Sequence, residues 1–94
     1  MNFINQKNQN YGTYRNVLAE FEEWVKSRGT KIGKKVVDFI NRDILDLTLH
    51  TATNYCEINV ASPWEIPDYI YKQYVLFCKQ KGYHYLGEEV PNVK

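Results

Sequence analysis

The sequence predicts a single α+β domain, and three observations carry that expectation. The chain has 94 residues, with 44% hydrophobic and 24% charged positions and only five Gly and three Pro. That composition builds one modest core and leaves no room for a second domain. Apolar residues recur at three- and four-residue steps in the first half and alternate across Asn54–Val60. From Pro67 they return to a helical spacing, and such a change of period marks helices alternating with strands. Gly82 then stops the last helix before a short aromatic strand. The expected order is α-α-β-α-β, with a flexible N-terminal arm at 1–12, a compact domain at 13–87 and a flexible tail at 88–94.

The first helix is predicted from Thr13 to Arg28. Tyr14, Val17, Leu18, Phe21, Trp24 and Val25 form its apolar stripe, Thr13 serves as N-cap and Gly29 as the residue that ends it. The second helix is predicted from Thr30 to about Thr51, with Ile32, Val36, Phe39, Ile40, Ile44 and Leu47 on its main stripe. Leu45 and Leu49 then fall on its opposite side. Gly33 is expected to weaken its first turn by about 1 kcal/mol relative to Ala. In the strand after it, Cys56, Ile58 and Val60 share one face, and Tyr55, Glu57 and Asn59 the other. Residues 61–65 read as a turn, and Pro67 as the first residue of a third helix running to Lys81. That helix is apolar around most of its circumference, which suits a central position. Tyr83–Leu86 reads as the second strand. A strand–helix–strand unit is right-handed and parallel. Two strands alone make a marginal sheet, so completion by a second subunit, and hence a homo-oligomer, is expected.

Twelve Lys and Arg against eleven Asp and Glu give a net charge of +1. No bulk field therefore draws the chain to nucleic acid or membrane. No apolar run approaches the length that spans a bilayer, and the amide-rich first twelve residues do not resemble a secretion signal, so a cytoplasmic location and no membrane partner are expected. Cys56 and Cys78 sit among apolar neighbours and read as buried reduced thiols. A zinc site would require both to converge with His50 and His84; no metal or cofactor is expected.

Two groupings are candidate binding residues. Lys26, Arg28, Lys31, Lys34 and Lys35 place five cations in ten residues without an acid, around Gly29 and Gly33. They lie at the start of the second predicted helix, where the free amides favour an anion and disfavour cations. The spacing is not that of a phosphate-binding loop, and no strand precedes it. The second grouping is aromatic: Tyr69, Tyr71, Tyr83, Tyr85 and Trp64, within a half of the chain that also holds Tyr55 and Tyr74. Tyr is enriched at binding surfaces because it offers large area at low entropic cost. The phase of the third helix assigns Tyr74 to the core with Ile70 and Phe77. No Ser-His-Asp or Cys-His arrangement is legible, so an enzyme is not expected.

The stretch from Ile40 and Ile44 through Tyr55-Cys56-Glu57-Ile58-Asn59-Val60 to Lys81-Gly82-Tyr83 resembles small uncharacterised bacteriophage-encoded proteins with a helix–strand–helix–strand C-terminal half. The resemblance spans about half the chain and transfers no catalytic residue. It implies a small protein that acts by binding a host component. The function expected is therefore a non-catalytic binder, a phage-encoded inhibitor or sequestering protein acting on a host or defence component, with a protein or an anionic small ligand as partner. The alternatives are a nucleic-acid-binding accessory protein using residues 26–35, which the low net charge disfavours, and a structural or assembly protein.

Overall fold

In the computed structural model, which describes residues 13–89, the chain forms β1 (Tyr14–Asn16), α1 (Leu18–Arg28), α2 (Lys31–Asn41), β2 (Leu45–His50), β3 (Tyr55–Val60), α3 (Asp68–Lys81) and β4 (His84–Tyr85). The α+β class agrees with the sequence reading, but the order is β-α-α-β-β-α-β. The sheet runs β1-β2-β3-β4. Its first two pairings are antiparallel and the last, across α3, is parallel.

The helix expected to continue to Thr51 ends instead at Asn41. The Arg42 and Asp43 amides bond back to the carbonyls of Phe39 and Ile40. Asp43 then takes φ 62°, a left-handed conformation that turns the chain out of the helix. From Leu45 onward the apolar period is two. Leu45, Leu47 and Leu49 are buried while Asp46 is exposed, and the register sets them against Val60, Ile58 and Cys56 of β3. Leu45 and Leu49, which a helix would have sent to its far side, are thereby united with Leu47 on one face. The hairpin turns at Asn54, also left-handed at φ 60°, whose side-chain amide donates to the Gly82 carbonyl at 2.8 Å.

The first helix is likewise shorter than its stripe implied. Tyr14–Asn16 pairs with Thr48–His50, and the helix begins at Leu18. Asn16, not Thr13, supplies the side-chain acceptor at its start, taking the Leu18 amide at 2.9 Å. Pro67 sits one position before α3, in extended conformation, and its carbonyl accepts from Ile70 and Tyr71. Thr30 caps α2, and Gly29 and Gly82 end α1 and α3 in the left-handed region. The expected second strand narrows to His84–Tyr85. Ser62–Pro63 is a cis peptide.

With four strands from one chain, the sheet no longer requires a second subunit for completion, and its edge strands are only three and two residues long, which limits edge pairing. All three helices lie on one side. Val17, Phe21 and Val25 at α1, Val36, Phe39 and Ile40 of α2, and Ile70, Tyr74, Phe77 and Cys78 of α3 form one buried cluster with Leu45, Leu47, Leu49, Cys56 and Ile58 of the sheet. Tyr74 is fully buried, as its helical phase predicts. Its hydroxyl donates to the Cys56 carbonyl and accepts the Leu86 amide, tying α3 to both sides of the parallel pairing. Of the tail expected at 88–94, Glu88 is held back against the end of the sheet: its amide bonds to the Tyr85 carbonyl at 3.1 Å. The expected arm at 1–12 and residues 90–94 lie outside the described residues.

Candidate functional site

The α1–α2 turn is built by three residues with distinct tasks. Gly29 takes φ 62°, which a side chain would resist, and its amide bonds to the Lys26 carbonyl at 3.1 Å. Thr30 is extended, and its hydroxyl accepts the Gly33 amide at 2.9 Å, an N-cap. Gly33 is buried, and a β-carbon there would lie 3.1 Å from both Cγ1 and the carbonyl oxygen of Val25. The absent side chain lets α2 approach α1 closely. Between the two helix ends lies an open pocket of about 310 Å³, with Val25, Gly33 and Val37 beneath and Lys26, Thr30 and Lys34 at its rim.

The five cations of this turn divide by their engagement. Lys26 pairs with Glu22 at 3.3 Å, the Arg28 guanidinium lies 4.7 Å over Trp24, and the Lys35 ammonium lies 4.8 Å over the Tyr69 ring of α3. Lys31 and Lys34 are exposed and form no ion pair with another described residue. The first turn of α2 contains no acid. Two cations therefore stand unneutralised beside a helix end that itself carries partial positive charge, above an apolar floor. Sequence reasoning found the cations but missed the pocket floor, because Val25 read as an ordinary helix-stripe residue and Gly33 only as a weak point in the first turn of the second helix.

The aromatic candidates do not form one surface. Tyr69 joins the basic turn through Lys35. The Tyr71 hydroxyl donates to the Leu86 carbonyl at 2.6 Å. The Tyr83 hydroxyl donates to Glu20 at 3.2 Å and accepts from Arg15 at 3.2 Å, while Tyr85 stands edge-on to Tyr74. Tyr71, Tyr83 and Tyr85 are half-buried and hold the C-terminal strand in place. Trp64 is 49% exposed and meets the edge of Phe39, on a different part of the surface. Arg15, through its hydrogen bond and charge, holds the Glu20 carboxyl below its ordinary value.

Cys56 and Cys78 are free and buried. The hydrogen bond shared with Cys56, together with burial, pushes the Cys78 thiol up, away from the reactive thiolate form. His50 and His84 lie on the opposite face of the sheet from Cys56, so the four residues do not converge. Among the described residues no three His, Cys, Asp or Glu side chains are grouped to hold a metal, and no helix is long and apolar enough to cross a membrane. Each imidazole instead contacts a carboxylate, His50 with Glu57 at 2.7 Å and His84 with Glu88 at 3.0 Å. Comparison with protein-family models, curated proteins and solved structures gives no match to this chain.

Proposed function

We propose that this chain is a non-catalytic binding protein that captures an anionic partner at the α1–α2 turn. The observation that carries the reading is the pocket of about 310 Å³ whose floor is apolar and whose rim holds Lys26 and Lys34, with Lys31 beside it. An apolar group carrying a carboxylate or phosphate would bury its body on Val25 and Val37. Its charge would lie against the lysines and the first amides of α2, relieving the repulsion there. The target proposed is a host or defence component, inhibited or sequestered by capture. An acidic protein surface or small anion suits the site better than a nucleic-acid backbone, because three of the five cations are already engaged and tight phosphate binding needs several free ones.

The test compares wild-type protein with the Lys31→Glu, Lys34→Glu double variant. Both are used for affinity capture from bacterial lysate, with mass spectrometry of bound proteins and small molecules. The reading expects a partner retained by the wild type, released by moderate salt and lost by the double variant, with circular dichroism unchanged. Identical captures by the two proteins would remove the basic turn from the function.

A further inference from the structure

The sheet face turned away from the helices is a second chemical surface, unlike the pocket in charge and in kind. The register sets Tyr14 opposite His50, His50 opposite Tyr55, and Tyr55 opposite His84. Four rings therefore form one row across all four strands. Ring centroids are 6.0 Å apart for Tyr14 and His50 and 6.2 Å for His50 and Tyr55, the latter pair stacked at 27°. Two carboxylates border the row, Glu57 on His50 and Glu88 on His84, and a third, Asp46, lies on the same face at the far end of β2, accepting from Asn16 at 2.8 Å. The row is open: Tyr14 is 63% exposed, and the His84 side chain 60%. Among the described residues no Lys or Arg forms an ion pair with any of these carboxylates. Where the row ends, Tyr55, His84 and Glu88 line a shallow depression of about 470 Å³.

The geometry points to a docking surface for an arginine-bearing, extended segment of a protein partner. A guanidinium is planar, stacks on aromatic faces and takes a carboxylate in fork geometry, so one group uses both the rings and the acids of this face. Alternate side chains of an extended segment lie about 6.6 Å apart on one side, close to the ring spacing of the row. A single-stranded nucleic acid would find the same rings for base stacking but would bring its phosphates against Glu57 and Glu88. Charge complementarity therefore selects the cationic polypeptide. This surface and the α1–α2 pocket share no residue, so either can fail without the other.

The experiment is an NMR titration of the ¹⁵N-labelled full-length protein with three probes: an acetylated, amidated peptide alternating arginine and threonine; the same peptide with citrulline for arginine; and an oligothymidylate. The arginine peptide is expected to shift amides of β2, β3 and β4, and the citrulline peptide to bind about tenfold more weakly, since each charged contact on an exposed face contributes modestly. Glu57→Gln is expected to weaken binding about threefold. Tyr14→Ser, at a position exposed enough to leave the fold intact, is expected to weaken it about twofold. Equal binding of the citrulline peptide overturns the proposal. So do oligothymidylate shifts on this face at lower concentration than the arginine peptide requires, peptide shifts confined to the α1–α2 turn, or nuclear Overhauser contacts placing residues 1–12 on Tyr55 and His84.

Discussion

Replacing Gly33 by Ala sets two local effects of opposite sign against each other. Helix propensity favours Ala by up to about 1 kcal/mol, and sequence reasoning alone expects a stabilised first turn of α2. The packing opposes it. The new methyl would stand 3.1 Å from Val25 Cγ1, 3.1 Å from the Val25 carbonyl oxygen and 3.2 Å from the Thr30 hydroxyl. The side-chain atom can turn aside, but the carbonyl belongs to α1 and moves only if the helices part. Overpacking of this kind costs about 1–3 kcal/mol, and parting the helices also strains the Thr30 cap on the Gly33 amide. The net expectation is a loss of up to about 2 kcal/mol, read as a lower urea midpoint with unchanged m-value. In a Val25→Ala background the cost should shrink, a coupling between neighbours that a double-mutant cycle measures. Gly29→Ala is the control. Nothing lies within 4 Å of its added carbon, so its cost comes from φ 62° alone and should not couple to Val25. A midpoint raised by Gly33→Ala would refute the packing argument.

Three further outcomes test the rest of the structure. Tyr74→Phe removes the hydroxyl that bridges the Cys56 carbonyl and the Leu86 amide; leaving the buried carbonyl short of a partner should cost about 1–2 kcal/mol in urea unfolding, and a neutral result would deny the bridge. Thr30→Ala removes the N-cap of α2 and should cost about 1 kcal/mol, with Thr30→Ser recovering most of it. Glu20→Gln should be less stable than wild type at neutral pH, because the native carboxyl titrates below its ordinary value of 4.5 beside Arg15. A depressed folded pKa stabilises the protein above the unfolded value and loses that contribution as pH falls through the folded one. The gap between the two proteins should therefore close in acid below about pH 4.5; a gap constant from pH 7 to pH 3 would contradict the pairing.

Local chemistry made part of this protein legible from sequence. The stops at Gly29 and Gly82, the cap at Thr30, the half-buried strand at Tyr55–Val60 and the buried Tyr74 all arise from interactions within a few residues or from periodicity along one element. The five cations around Gly29 and Gly33 were legible for the same reason, being neighbours in the chain. Leu45–His50 was not. Its leucines fit a helical stripe well enough to extend the preceding helix, and only pairing with Val60, Ile58 and Cys56 unites all three on one face. The three residues of β1 were hidden similarly, since Tyr14 and Val17 also suit the stripe of α1.

The sequence by itself determined the helix stops at Gly29 and Gly82, the cap at Thr30, the burial of Tyr74, and that a basic turn existed. Tertiary structure alone decided the four-stranded sheet, because strand pairing is a contact between distant segments that periodicity cannot register. It also decided that Gly33 sits against Val25 and so opens a pocket floor beneath Lys26 and Lys34. Likewise, Tyr14, His50, Tyr55 and His84, scattered over seventy positions of the chain, become one row of rings only through the register of four strands.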